Sequence, residues 1–198
     1  VQIHGGFAFS RSDDQVVTLS DGTSKSVRVT TFGFDNMDAF VGSGPYFEDL
    51  NNDGVTDPDP NPDAAGLLLK GGQLAVALFK PTSTTDTSSY YAVSASAESI
   101  EMPGLDLGTS DTFMGRGYRV EVNGGTGGTA VNFTRLPGGS LSVQTSTENS
   151  VEFDYASKLE RASIESVTLN IGDYVYLNGG FAFTRQQGLN VKLEGSST

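Results

Sequence analysis

Val167-Thr168-Leu169-Asn170-Ile171-Gly172-Asp173-Tyr174-Val175-Tyr176-Leu177 is the stretch whose reading decides the fold. On either side of Gly172-Asp173, β-branched, aliphatic and aromatic residues alternate with others. A period of two puts alternate side chains on opposite faces of a strand. The Gly-containing pair between the runs predicts a tight hairpin. The same pattern recurs outward along the chain. Phe7-Ala8-Phe9, Val27-Arg28-Val29, Tyr118-Arg119-Val120-Glu121-Val122 and Val131-Asn132-Phe133 read as short strands. Val16 to Leu19 and Val27 to Val29 flank Ser20-Asp21-Gly22-Thr23, a second hairpin. Asn123 to Gly128 reads as a flexible turn between two strands, and Tyr90 to Ile100 is β-like. Leu67 to Leu69 and Leu74 to Phe79 suit doubly buried strands, or a short helix followed by a strand. Only Tyr155 to Arg161 hints at a helical turn. The predicted fold is all-β: an antiparallel β-sandwich or a long curled sheet with a Pro/Asp-rich excursion. A β-solenoid is the alternative, but it requires a short internal period, and none is found.

Continuing from the hairpin, Val175-Tyr176-Leu177-Asn178-Gly179-Gly180-Phe181-Ala182-Phe183-Thr184-Arg185 repeats Val1-Gln2-Ile3-His4-Gly5-Gly6-Phe7-Ala8-Phe9-Ser10-Arg11. The offset of 174 residues holds without a gap, so Val17 and Leu19 align with Val191 and Leu193. Nine of 24 aligned positions are identical, too long a register for two strands converging on one short pattern. Self-similarity at a fixed period signals repeat architecture. Residues 1–174 are therefore expected to form one β-rich repeat unit. Residues 175–198 are expected to be the first hairpin of the following repeat, packing on the unit. Phe7, Phe9, Phe181 and Phe183 lie on period-two faces and are expected in the core. With Val1 at its start, the chain reads as a piece of a longer protein.

Composition narrows the function classes. Twenty-four acids against 12 bases give a net charge of −12, which disfavours a nucleic-acid backbone or an anionic membrane as partner. The longest apolar run, Gly66 to Phe79, is interrupted by Lys70-Gly71-Gly72-Gln73, so no transmembrane span is expected. The absence of cysteine fits either a reducing compartment or a large bacterial surface protein.

The acids concentrate in one loop. Asp49-Leu50-Asn51-Asn52-Asp53-Gly54-Val55-Thr56-Asp57 matches the first nine positions of an EF-hand-type calcium loop. Asp49, Asn51 and Asp53 supply side-chain oxygens at positions one, three and five. Gly54 takes the sharp turn at six, the Val55 carbonyl points inward at seven, and Asp57 stands at nine. Position twelve, ordinarily a bidentate Glu, is Pro60. Pro58, Pro60 and Pro62 enforce an extended segment, leaving Asp59 or Asp63 to complete the shell. Five carboxylates within 15 residues repel one another unless a cation joins them. Calcium is the expected cofactor. Asp35 and Asp38, in Phe34-Asp35-Asn36-Met37-Asp38, form a weaker candidate for a second cation.

Two resemblances follow from these residues. The acidic loop resembles the helix-poor calcium loops of dockerins and thrombospondin-type repeats. The Gly-Gly-Phe-Ala-Phe-Thr-Arg strand, with Asp38-Ala39-Phe40-Val41-Gly42-Ser43-Gly44-Pro45-Tyr46-Phe47, resembles repeat units of very large bacterial surface proteins of the adhesin type. What that implies is a calcium-stabilised structural or spacer unit, extracellular or at the cell surface, with neighbouring repeats of the same polypeptide as partners. The alternative is an adhesin module that binds carbohydrate or another cell surface.

An enzyme is not expected. His4 is the single histidine, so neither a His-based triad nor a multi-His zinc site can be assembled from this chain. Asp35 with Asp38, or Glu98 with Glu101, raise paired-carboxylate glycoside hydrolysis, but no Trp is present to stack a sugar. Gly104 to Gly108 and the Gly-rich stretch Asn123 to Gly128 lack the Lys-Ser/Thr ending of a phosphate loop. Tyr46-Phe47 and Tyr90-Tyr91 are read as core or edge packing rather than a sugar platform.

Overall fold

The computed structural model describes residues 1–49, 54, 61–104, 112–171 and 175–187. Among the described residues nine strands are present: β1 (Gln2–Thr18), β2 (Ser24–Ser43), β3 (Ala65–Pro81), β4 (Tyr90–Glu101), β5 (Thr112–Gly125), β6 (Leu141–Gln144), β7 (Ser150–Phe153), β8 (Leu159–Ile171) and β9 (Val175–Gln186). Seven of them make one antiparallel sheet in the order β1-β2-β3-β4-β5-β8-β9. The remaining two, β6 and β7, form a separate hairpin. The all-β expectation holds, in its long-sheet form: one wide sheet with a two-stranded cover, and no solenoid.

Strand length follows from the alternation that the sequence carries. The β1–β2 hairpin closes at Thr18↔Ser24 around the expected Ser20–Thr23 turn. Asp21 fixes that turn, accepting hydrogen bonds from the Thr23 amide at 2.9 Å and the Thr23 hydroxyl at 2.7 Å. Leu67 to Phe79 is not a helix followed by a strand. It belongs to the single strand β3, which runs through Gly71-Gly72 by way of an irregularity.

Residues paired across antiparallel strands share a face. One face carries the row Thr31–Ala77–Ala92–Asn123–Leu159 and, next to it, Val29–Phe79–Tyr90. The β6–β7 hairpin and the segment before it close over these rows. Val17, Val27, Phe79, Val131, Phe133, Val143 and Phe153 are all essentially inaccessible there. Phe133 is the hub, with ring centroids at 5.8 Å from Phe79, 5.7 Å from Phe153 and 6.2 Å from Tyr155. Aromatic pairs of this kind contribute about 0.5–1.5 kcal/mol beyond burial.

This lid is built differently from its sequence reading. Val131 makes one isolated bridge to Leu19, and Phe133–Arg135 is a 3-10 turn rather than a strand. Asn123 to Gly125 ends β5, and the chain then turns through a short 3-10 segment, Thr126–Gly128, toward the core. Tyr155 to Arg161 holds no helix; Leu159 opens β8. These segments obey long-range needs. Asn123, wholly buried, donates from Nδ2 to the Val131 and Ser157 carbonyls, both at 2.9 Å, and so pins the lid to the sheet.

The opposite face carries Phe7–Phe34–Leu74–Ala95–Val120–Ala162–Phe183 across all seven strands. This row is left open. Phe7, Phe9, Phe181 and Phe183 are 58%, 62%, 62% and 49% exposed, so the expectation that they form core is wrong. Alternation places them on one face correctly. The hydrophobic lid closes over the other face, and these residues also sit on the two edge strands.

A belt of irregularities crosses the sheet at mid-height. It runs through Gly5-Gly6 on β1, Asn36 on β2, Gly71 on β3, Gly117 on β5 and Gly180 on β9. Asn36, Gly71 and Gly117 adopt left-handed backbone, at φ of 49°, 58° and 66°. Beyond the belt a smaller cluster forms from Phe40, Ala64 and Leu68, flanked by Tyr46 and Phe47.

Candidate functional site

The acidic loop leaves β2 after Ser43 and rejoins the sheet at Ala65. Its two ends are stitched together. Asn61 Nδ2 donates to the Pro45 carbonyl at 2.9 Å and to Glu48 at 3.0 Å, while the Asn61 amide donates to the Tyr46 carbonyl at 3.1 Å. Gln2 of β1 grips the same strand end: its Oε1 accepts from the Tyr46 and Phe47 amides at 2.6 and 3.1 Å. Tyr46 stacks on Phe40 at 5.1 Å, and Phe47 meets Tyr46 edge-on. These rings anchor the loop to the small cluster, as packing rather than as a free platform.

Of the expected calcium ligands, Asp49 and Asp63 are described; Asn51, Asp53, Val55, Asp57 and Asp59 lie outside the described residues. Asp49 Oδ2 accepts a hydrogen bond from the Gly54 amide at 2.9 Å. Gly54 has φ +85°, the left-handed turn that position six demands. The first carboxylate is thereby turned toward Gly54. The Asp63 amide donates to Asn61 Oδ1 at 2.9 Å, an Asx turn at the loop's exit. Among the described residues no group of three or more acids or histidines is placed to hold a metal ion.

Asp35 and Asp38, the weaker cation candidate, both accept hydrogen bonds along the belt. Asp35 accepts from Gln73 at 3.0 Å and from Asn149 at 2.5 Å, which ties the tip of the β6–β7 hairpin to the sheet. The Asn149 hydrogen bond, with further help from Gln73 and Ser146, holds the Asp35 carboxyl below its ordinary pKa. Asp38 accepts from the Gly71 amide at 2.8 Å. His4 is exposed, with its ring 6.2 Å from Phe47.

Sequence reasoning missed a polar groove of about 740 Å³ along the belt beside the hairpin tip. Glu98 and Glu165 lie over Gly71 and Gly117, and Arg116, Arg119 and Tyr118 join them. The pairing of Glu98 with Glu101 is not the one that matters here. Glu101 lies in the row Leu68–Glu101 and accepts from Ser99 at 3.0 Å. The Gly-Gly and Arg-Gly-Tyr signals were present in the sequence, but they mark a groove only once the strands are aligned.

A second polar cluster seals the far side of the lid. Glu121, 7% exposed, accepts from the Tyr155 hydroxyl at 2.9 Å and from Arg161 at 2.9 Å. Burial, with Glu121 beside it, pushes the Tyr155 hydroxyl's pKa up strongly. A carboxylate buried with two charge-assisted partners is a structural tie rather than a reactive group.

The last feature is the seat of the repeated sequence. Strand β9, the copy of β1, lies on β8 as the final strand of the sheet, through Ala162↔Phe183, Ile164↔Phe181 and Val167↔Gly179. Compared with known proteins, the chain matches no family model, no curated sequence and no solved structure.

Proposed function

We propose that this chain is a calcium-stabilised structural repeat of a large extracellular bacterial surface protein, without enzymatic activity. The observation that carries the reading is the position of β9, which repeats β1 at an offset of 174 residues and extends the sheet past β8. A unit that ends by seating the opening strand of the next one is suited to stacking along a stalk. Support for calcium comes from the Asp49–Gly54 hydrogen bond and the left-handed Gly54, added to the one-three-five oxygen spacing. The cation would draw together a loop anchored on the small Phe40 cluster and stiffen that end of the sheet.

The test is a calcium titration. With no Glu at position twelve, the expected dissociation constant is around 10⁻⁴ to 10⁻³ M. Saturation to about 100 times that constant adds ~2.7 kcal/mol of stability. Asp53→Ala should abolish the rise in melting temperature and leave the β-sheet circular dichroism intact. No heat and no stabilisation in millimolar calcium would remove the metal from the reading.

The second reading, a carbohydrate-binding adhesin module, is favoured by the polar groove with Tyr118, Arg116 and two glutamates along it. Binding on a glycan array that disappears in Tyr118→Ala would favour this reading over the spacer.

A further inference from the structure

We infer that the open edge of β1 is the seat of strand β8 from a preceding copy of this chain, so that one sheet runs unbroken from unit to unit. The inference rests on the repeat reading above and adds the strand, the register and the residues that enforce it.

The two copies of the Gly-Gly-Phe-Ala-Phe sequence see different neighbours. Among the described residues, strand β1 is paired with β2 alone, and β9 with β8 alone. Each glycine pair is half used in each place. At Gly5 a Cβ would lie 2.9 Å from the Met37 Cα and 3.0 Å from the Asn36 carbonyl oxygen, so β2 requires a glycine there. Its counterpart Gly179, with no β2 beside it, has nothing within 4 Å. At Gly180 a Cβ would lie 2.6 Å from the Glu165 carbonyl oxygen, so β8 requires a glycine there. Its counterpart Gly6 meets only Ser146 at 3.3 Å and the Asp35 oxygen at 3.6 Å, contacts that a small shift relieves. One glycine fits a β2 on one side, and the other fits a β8 on the opposite side. The sequence is that of an interior strand, seen twice as an edge.

The backbone agrees. The pairing of β1 with β2 shifts register between His4 and Gly6. The pairing of β9 with β8 shifts between Ile164 and Val167, opposite Phe181 and Gly179. Both irregularities fall on the same Gly-Gly step, opposite which β2 and β8 each carry one extra residue. Subtracting the 174-residue offset from the β8–β9 register gives the inferred contact: Ala162 to Phe9, Ser163 to Ala8, Ile164 to Phe7, Val167 to Gly5. Phe7, packed on Phe34 at 5.0 Å on its β2 side, would gain Ile164 on the other. The contact is head-to-tail and does not close on itself, so it generates an open row of units. In the whole chain β9 already occupies β8, which blocks the row.

Ending the chain at Gly172 removes that block. The shortened protein should form head-to-tail oligomers at micromolar concentration in light scattering, whereas the whole chain stays monomeric. Because the protein has no native cysteine, Ala8→Cys with Ser163→Cys should link shortened chains to one another on oxidation. Ser163→Cys with Ala182→Cys should link within the whole chain. Gly6→Ala should suppress oligomers of the shortened chain while leaving its melting temperature nearly unchanged, and Gly180→Ala should weaken the docking of β9. If the shortened chain loses its fold, peptides of residues 1–18 and 175–187 should both restore it. Rescue by the second alone, or by neither, overturns the inference. So does a folded shortened chain that remains monomeric, or oligomers indifferent to Gly6→Ala. None of those outcomes touches the calcium part of the proposed function, which the calcium titration decides separately.

Discussion

On one side of the glycine belt the sheet is sealed by a lid. Val17, Val27, Phe79, Phe133, Val143 and Phe153 lose all contact with water there. On the other side Phe40, Ala64 and Leu68 are, among the described residues, the buried members of a second cluster. The strands also run further on the lid side: β1 continues from Phe7 to Thr18 there and only from Gln2 to His4 on the other. Apolar burial widens that difference, and it is the dominant favourable term in folding. Stability is thus concentrated at one end, and the half that carries the acidic loop is held by little besides its strands, Gln2 and Asn61. That is the half where an added tie, from a cation or from an adjoining strand, has most to contribute.

The sharpest way to break this contrast is Phe133→Ala. It removes a fully buried ring that touches Phe79, Phe153 and Tyr155, and should cost about 3–5 kcal/mol. Since that is much of a domain's stability, urea denaturation should show a large fall in midpoint for the entire sheet. Phe40→Ala deletes an equally buried ring from the small cluster. Tyr46 and Phe47 can settle into the space, so the cost should be near the lower end, about 3 kcal/mol. Its signature is local: amide exchange should accelerate around Gly42 to Leu68 while Val143 and Phe153 stay protected. Uniform acceleration in both halves would show that the sheet unfolds as one unit.

Gly71→Ala probes the belt between the halves. The left-handed φ of 58° costs an L-residue roughly 1–2 kcal/mol, and Glu98 would have to swing away from the new methyl. A melting temperature equal to that of the parent would mean the belt can relax. The smallest effect concerns the hairpin tip. Because Asp35 has a lowered folded pKa, its contribution is fully present above the ordinary value of about 4 and is lost as pH falls through the folded value. Asp35→Asn should flatten the acid limb of the stability curve slightly, a difference readable by comparing thermal melts from pH 5 downward.

How far the sequence foretold this molecule depends on the range of each signal. Most of the period-two runs and the Ser20–Thr23 turn are local, and these read true, while the Gly172-Asp173 turn lies outside the described residues. Leu67 to Phe79 was ambiguous because Gly71-Gly72 resembles a break, whereas an aligned belt of irregularities lets one strand pass straight through. Val131 to Phe133 misled for the opposite reason: a strand-like triplet was recruited to a lid, where Asn123 and the Phe79 ring set its shape. The exposure of Phe7, Phe9, Phe181 and Phe183 could not be read at all. Alternation separates two faces but says nothing about which face acquires a cover. Within the acidic loop, spacing pointed to Asp49 and Gly54, and their hydrogen bond is consistent with it. The groove lined by Glu98 and Glu165 depends on register between strands remote in sequence, which no local pattern encodes.

The strand order has a consequence for how the chain comes together. From β1 to β5 each strand pairs with the one made just before it, and β8 and β9 add to the same growing side. No segment has to be threaded between others already in place. A polypeptide delivered from its N-terminus can therefore lay down the sheet strand by strand, most closures joining strands consecutive in the chain. The exception is the lid: the Asn132 amide bonds the Thr18 carbonyl, and the Phe133 amide bonds the Tyr155 carbonyl. Water is shut out only after residue 155 has emerged, so β1 to β5 are laid down before their buried face is made dry, and β8 and β9 are added last.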